Sequence, residues 1–164
     1  MDNDIIRQLM DEREIKYLLN EYCRALDLMD LSLLDGVFAQ DCIVEFGPDE
    51  RLNSTGLKQV KTALQRLWRW SRTSHHLSNV QIAFDGADRA NAVSYVIAWH
   101  ERADHTAATI YGQYHDQLER TGLGWRISSR TMYMNGCDAG FTVDIHPFPR
   151  KSAPEGWVAP QIDR

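Results

Sequence analysis

The stretch that decides the fold runs from Glu12 to Phe46 and reads EREIKYLLNEYCRALDLMDLSLLDGVFAQDCIVEF. In its first half, apolar residues recur at three- and four-residue steps, which places them on one face of an α-helix. They are Ile15, Leu18, Leu19, Tyr22, Leu26 and Met29. This face must be buried, so the ring of Tyr22 enters the interior and its hydroxyl needs a partner there. Asp27 lies roughly 140° around the helix from Tyr22, and periodicity alone therefore leaves its carboxylate on the flank.

The residues after this helix predict a second helix and a first strand. Asp30 is a residue type that favours the N-cap of a helix, and apolar residues follow it at helical steps as far as Phe38. From Asp41 onward the apolar residues stand at alternate positions, which predicts a strand. The dipeptide Gly47-Pro48 ends that strand.

The following residues predict one more helix and then a run of long strands. An apolar stripe indicates a third helix from Leu57 to Trp70. Strand-like stretches follow at about 74–84, 91–102, 106–120 and 125–134, and turn-rich links separate them. Such short links predict antiparallel hairpins. Helices followed by a strand meander predict an α+β fold, with helices on one face of a strongly curved sheet and a mainly apolar pocket inside.

The length and the proline distribution predict one domain and a C-terminal arm. A chain of 164 residues suits a single domain, which we place at residues 1–135. Residues 136–164 hold four of the five prolines, which predicts an extended arm with little regular structure. Phe141, Phe148 and Trp157 indicate that this arm packs on the domain or on a neighbouring subunit.

The charge distribution argues against nucleic-acid and membrane partners. The formal net charge is -5 and the pI is about 5.6, whereas binding to phosphates needs clustered Lys and Arg. Arg66, Arg69 and Arg72 stand at three-residue steps, a spacing that is typical of a solvated helix face. No run of about 18 apolar residues and no signal-peptide core is visible. We therefore expect a cytoplasmic protein.

The cysteine and histidine spacings do not predict a metal site. Cys23, Cys42 and Cys137 lack a C-x-x-C spacing, so neither a zinc site nor a complete disulfide framework follows. The histidines lack the H-x-x-x-H and H-E-x-x-H patterns of metal-binding helices. The sequence also contains no phosphate loop, dinucleotide fingerprint or serine-centred elbow. We expect neither a metal nor a cofactor.

Four pieces of sequence, in this order, resemble the SnoaL-like branch of the nuclear-transport-factor-2-like superfamily. They are YCRALD at 22–27 with Asp30, LDGVFAQD at 34–41, TSHHLSN at 73–79, and GQYHD at 112–116 with GWRI at 124–127. The resemblance covers roughly residues 10–135. It implies a cystatin-like roll: a cone-shaped, mixed or antiparallel sheet that N-terminal helices cover. The superfamily contains enzymes and proteins without catalysis, so the fold does not decide the function.

Within this branch the residues resemble a group that contains scytalone dehydratase, hexachlorocyclohexane dehydrochlorinase and bile-acid dehydratases. That group uses an Asp–His pair as a base, and several members add a tyrosine. The matching positions here are Asp27, His75 and Tyr22. His75 stands four residues before Asn79, as the family's histidine stands before its asparagine, so it matches better than His76.

The same resemblance implies that Val44, Leu77 and Arg130 line the pocket. Strand alternation adds His100 and Tyr114, because both can face the cone from the central strands. Only one of His75 and His76 can face it, since neighbours on a strand point to opposite sides.

A base and an acid in one closed pocket suit proton transfer. A carboxylate fixes the tautomer of His75 and stabilises the imidazolium that forms when it takes a proton. Tyr22 can act as the acid or as an oxyanion donor. The hypothesis is a cofactor-independent lyase, of the dehydratase or elimination type, or an isomerase. Its substrate is a small hydrophobic compound, aromatic or polycyclic.

Three alternatives stay open. His75 can be a satisfied interior histidine, with Tyr22 a core aromatic and Asp27 a cap or surface acid. The protein can be the non-catalytic small (β) subunit of an aromatic ring-hydroxylating dioxygenase, or a small-ligand-binding protein. Val93 and Ile97 share one apolar face with Trp99, which predicts a homodimer or a homotrimer. Isolated homo-oligomers would count against the small-subunit alternative.

Overall fold

A computed structural model describes residues 2–140, 143, 145–149 and 154–157. Its helices are α1 (Asp2–Leu28), α2 (Leu57–Leu64) and three 3-10 helices at Leu31–Gly36, Glu50–Leu52 and Gln65–Arg69. Its strands are β1 (Phe38–Glu45), β2 (Ser54–Thr55), β3 (Arg72–Phe84), β4 (Arg89–Glu101), β5 (Ala107–Thr121), β6 (Gly124–Ala139) and β7 (His146–Pro147).

The opening helix follows the predicted stripe. Ile15, Leu19 and Tyr22 are among its buried residues, and together they pack on the inner face of the sheet. The helix begins earlier than Glu12, because α1 is continuous from Asp2. It ends at Leu28, and Met29 after it has a left-handed backbone with φ 53°.

The second and third predicted helices are shorter than predicted, and part of each is a 3-10 helix. Asp30 is the N-cap, as expected, and its side chain accepts a hydrogen bond of 3.2 Å from the Ser32 backbone N–H. The helix that follows is of the 3-10 type and ends at Gly36, so Phe38 already opens β1. The predicted third helix, Leu57–Trp70, divides at Leu64 into α2 and the 3-10 helix Gln65–Arg69.

The strands form one mixed sheet in the order β2-β1-β6-β5-β4-β3, with β7 paired to β6. The predicted antiparallel meander is confirmed for β3 to β6. β1 lies parallel to β6, and the chain passes through β2, α2 and the strands β3 to β5 between these two strands. The fold class is α+β, and helices cover one face of a curved, unclosed sheet.

The segment predicted as an irregular arm contains regular structure. The last long strand continues past Met134 to Ala139, and His146 pairs in register with Tyr133. The ring of Phe148 packs 6.2 Å from the ring of Tyr133, centroid to centroid, so this part of the arm lies on the sheet. Trp157 is exposed, and Phe141 lies outside the described residues. The division of the chain at residue 135 stays a prediction.

A buried ion pair stands at the centre of the core. The Arg130 guanidinium donates from Nε and Nη2 to the two Asp116 carboxylate oxygens, at 2.7 and 2.8 Å. Both side chains are fully buried. The guanidinium carbon lies 4.2 Å from the ring centroid of Tyr22 and 4.2 Å from that of Tyr114, so the two rings enclose it. This bidentate geometry reduces the cost of removing two charges from water.

None of the described helices is both long and apolar enough to cross a membrane.

We predict that Arg130→Met lowers the free energy of unfolding by about 3 to 5 kcal/mol, because it leaves the Asp116 charge buried without a partner. The double variant Arg130→Met/Asp116→Leu recovers most of that loss, since it removes both charges. Urea denaturation followed by circular dichroism measures both values, and Arg24→Met on the exposed face of α1 is the control. A single variant within about 1 kcal/mol of the wild type would contradict this role.

Candidate active site

Asp27 and His75 meet between the end of α1 and the start of β3. The Nδ1 atom of His75 lies 2.6 Å from Oδ1 of Asp27. The backbone N–H of His75 donates to Oδ2 at 2.9 Å, and the hydroxyl of Thr73 donates to Oδ1 at 2.9 Å. The carboxylate therefore accepts from a ring, a backbone amide and a hydroxyl, which fixes its orientation.

The packing of α1 against β3 explains why a helix-flank residue reaches the site. The Asp27 side chain is 29% exposed and the His75 side chain only 4% exposed. β3 passes along the flank of α1, so the carboxylate faces the strand while one side stays open to solvent. His76, the next residue on the strand, is exposed and its Nε2 contacts the Ser74 hydroxyl at 2.9 Å.

The contacts of the carboxylate determine its charge and the histidine tautomer. Burial raises the pKa of Asp27, but the hydrogen bonds from the ring and backbone of His75 and from Thr73 outweigh this and hold it below the ordinary value. Asp27 is therefore ionised at neutral pH and can only accept at Nδ1. In neutral His75 the proton lies on Nδ1, and the lone pair on Nε2 is available on the other side of the ring.

A cavity of about 340 Å³ lies between the sheet and the helices. Most of its wall is apolar, from residues such as Leu26, Leu67 and Met132, and four of the predicted site residues also line it. These are Tyr22, His75, His100 and Tyr114. Asp27 is not on this wall, since it lies with Leu77 in a shallow hollow on the other side of His75. The imidazole thus separates the carboxylate from the cavity.

Three predicted pocket residues lie elsewhere. Leu77 lines the outer hollow. Val44 and Arg130 are register partners on β1 and β6, buried in the packed core, and neither lines the cavity. Arg130 is held away from the cavity because Asp116 binds its guanidinium, a contact that the sequence did not indicate.

His100 adds a second imidazole to the cavity wall. Its ring centroid lies 5.3 Å from that of His75, and the two rings stand edge to face. The residue is 5% exposed, and its Nδ1 has no hydrogen-bond partner in the described part of the structure. Burial lowers the pKa of His100 to about 4, and the nearby His75 contributes to this. His100 is therefore neutral at pH 7.

The two tyrosines on the wall are buried and in contact. Tyr22 and Tyr114 stand edge to face, with ring centroids 5.6 Å apart. Burial raises the pKa of Tyr22 and that of Tyr114 above the ordinary value, so both hydroxyls stay protonated at neutral pH. Each can donate a hydrogen bond to an oxygen atom of a ligand.

The sequence did not indicate the basic part of the cavity wall. Of the three arginines predicted on a solvated face, Arg69 and Arg72 are exposed, whereas Arg66 is half-buried. Arg66 and Arg69 both line the cavity together with Trp70. Arg66 stands between the apolar Leu64 and Leu67, and this is the one feature of the sequence that could have indicated its burial. The described residues contain no group of three or more His, Cys, Asp or Glu side chains placed to bind a metal.

Residues 7–131 match the family model of the SnoaL-like domain, so the chain belongs to that family. A protein from Novosphingobium aromaticivorans, assigned provisionally as a scytalone dehydratase, is 26% identical, with a TM-score of 0.84 over 90% of this chain and 99% of that chain. Hexachlorocyclohexane dehydrochlorinase from Novosphingobium barchaimii is 20% identical, with a TM-score of 0.73 over 88% and 99%.

A third similar structure is a nuclear-transport-factor-2-like protein with a cystatin-like fold, from Novosphingobium aromaticivorans. It is 19% identical, with a TM-score of 0.70 over 80% of this chain and 86% of that chain. A search of curated proteins gives no match. These comparisons support the predicted fold and family.

We predict that His100 makes folding sensitive to acid. Its pKa is about 4 in the folded state against 6.5 for the free side chain, so below pH 6.5 the unfolded chain binds the proton more readily. Its contribution to stability is complete above that pH and is lost as the pH falls towards 4. Over this range the wild type loses up to about 3 kcal/mol more than His100→Gln. Urea denaturation at pH 7, 5.5 and 4.5 tests this, and parallel losses would refute it.

Proposed function

We propose that this protein is a cofactor-independent lyase, of the dehydratase or elimination type, or a related isomerase, acting on a small hydrophobic compound. In this proposal His75 is the base, Asp27 positions it, and Tyr22 is the acid or oxyanion donor. The observation that carries the proposal is the contact of 2.6 Å between Nδ1 of His75 and Oδ1 of Asp27, made by an imidazole that also lines a mainly apolar cavity.

The proton moves from substrate carbon to Nε2. A C–H bond next to a carbonyl breaks, and its electron pair passes into an enolate while Nε2 of His75 takes the proton. The carboxylate of Asp27 stabilises the imidazolium through Nδ1. Because the Asp27 pKa lies below its ordinary value, the carboxylate stays charged during this step. Positioned proton transfer of this kind contributes on the order of 10² to 10⁴ in rate.

Tyr22 and His100 interact with the substrate oxygen and with the leaving group. The protonated hydroxyl of Tyr22 donates to the enolate oxygen or to a departing hydroxyl group. His100 is neutral and lines the same cavity, so its imidazole can bind the same oxygen or the water that leaves. In an elimination, the C–O bond breaks and the hydroxide leaves as water with a proton from Tyr22 or from the His75 imidazolium.

Two further observations support this proposal. The relative with 26% identity is assigned provisionally as a dehydratase. Dehydration of this kind is an elimination in which a base removes a proton from carbon. The cavity wall is predominantly apolar, which suits a ring compound.

The outer face of the sheet carries the exposed side chains Tyr95, Ile97 and Tyr111, and these support the proposed homodimer or homotrimer.

We predict that wild-type protein converts the β-hydroxy ketone 3-hydroxy-1-tetralone to 1-naphthol and exchanges its C2 hydrogens in D2O. His75→Ala and Asp27→Asn each lower both rates at least about 100-fold, because the first removes the base and the second removes the charge behind it. Ultraviolet absorbance follows the naphthol and proton NMR follows the exchange.

His76→Ala is the matched control, since it removes an exposed imidazole from the next position on the same strand; it keeps the wild-type rate. Thermal melts of all variants check that they are folded. A His75→Ala rate equal to that of the wild type would contradict catalysis by His75, and binding without conversion would favour a small-ligand carrier.

A further inference from the structure

Arg66 places a positive charge on the wall of the apolar cavity. It lies in the 3-10 helix Gln65–Arg69 and is half-buried between Leu64 and Leu67. Its guanidinium carbon lies 5.3 Å from the ring centroid of Phe46, which also lines the cavity. Stacking on an aromatic face leaves the N–H groups at the edge of the guanidinium able to donate.

No protein carboxylate neutralises this charge in the described part of the chain. Asp49 is the acidic residue on the cavity wall, and it is already bound, because Nε of Arg51 donates to both of its oxygens at 2.9 Å. Arg69 adds a second positive charge to the wall, and its Nε donates to the backbone carbonyl of Arg66 at 2.8 Å. The charged groups on the wall therefore leave an excess of positive charge.

Two other arginines with largely buried side chains are paired. Arg130 binds Asp116 and Arg120 binds Asp11. A guanidinium that leaves water without a partner costs free energy. Burial lowers the pKa of Arg66 below its ordinary value, and the charge of Arg69 adds to this, although the group stays charged at neutral pH. Arg66 thus bears a cost that a bound anion would remove.

We propose that Arg66 binds a carboxylate group on the substrate. The substrate class is then an apolar ring compound that carries one carboxylate, which narrows the function proposed above and rests on it for the use of this cavity. The planar fork of the guanidinium matches a carboxylate bidentately. A phosphate would bring up to two charges into a mainly apolar space, so a carboxylate suits the site better.

A substrate carboxylate bound at Arg66 also limits how the substrate lies in the cavity. Arg66 and His75 line the same cavity, so a molecule held by its carboxylate at Arg66 stays in the space that Nε2 faces. Fixing one end of a ligand restricts its rotation, and this raises the chance that the reacting C–H bond meets the base.

The experiment compares 2-naphthoate with 2-naphthamide, which share a ring system and differ in charge. Isothermal titration calorimetry on the wild type gives at least about tenfold tighter binding of the carboxylate, because a charge-assisted bidentate contact is stronger than a neutral one. Arg66→Gln abolishes this preference and leaves amide binding within about twofold. Arg66→Lys keeps part of the preference, since it keeps the charge but loses the fork.

Two controls locate the effect. Arg89→Gln removes an equal charge from an exposed position on β4 and keeps the wild-type preference. Arg69→Gln, which removes the second cation of the wall, weakens the preference less than Arg66→Gln does. Thermal melts establish that each variant is folded.

The same titrations in His75→Ala separate this inference from the proposed function, because the proposed base is absent there. A carboxylate preference that persists in His75→Ala supports the inference whether or not the protein proves to be a lyase. Equal binding of the two probes by the wild type would overturn it. So would an Arg66→Gln variant that keeps the preference, or one that loses both ligands equally.

Discussion

The carboxylate of Asp27 is the contact on which the rest of the site depends. It joins the end of α1 to the start of β3 through one ring nitrogen, one backbone amide and one hydroxyl. By accepting from Nδ1 of His75 it turns the other nitrogen of the ring towards the cavity, and by accepting from the backbone it holds the strand on which that ring stands. One side chain therefore fixes both the tautomer and the position of the proposed base.

The ionised carboxylate of Asp27 lies apart from the neutral polar groups of the cavity wall. Asp27 lies in an outer hollow, whereas His75, His100 and the two tyrosines lie on the cavity wall. The burial that keeps His100 uncharged also keeps Tyr22 protonated, so the wall offers neutral donors and acceptors around one imidazole with an ionised partner behind it. Arg66 and Arg69 differ from this pattern, because they place positive charges on the wall itself. Arg66 is the half-buried one of the two, and this is the reason to assign it to the ligand.

Much of the fold could be predicted from local pattern. The stripe on α1, the N-cap at Asp30 and the hairpin links between β3 and β6 each follow from a few adjacent residues, and the structure has all three. The position of Asp27 could not be derived in this way, since periodicity places it on the helix flank and only the crossing of β3 brings a partner to it. The same limit applies to Arg130 and Arg66. Spacing does not show that Asp116 binds Arg130, or that the cavity reaches Arg66.

The proposed mechanism depends on which nitrogen of the His75 ring carries the proton. Nitrogen-15 NMR of histidine-labelled protein at neutral pH measures this directly, with His75→Ala used to assign the signal. The account predicts that neutral His75 is protonated at Nδ1 and unprotonated at Nε2, and that Asp27→Asn changes this balance. A wild-type His75 that carries its proton on Nε2 would contradict the account, because the nitrogen facing the cavity would then have no lone pair with which to accept a proton.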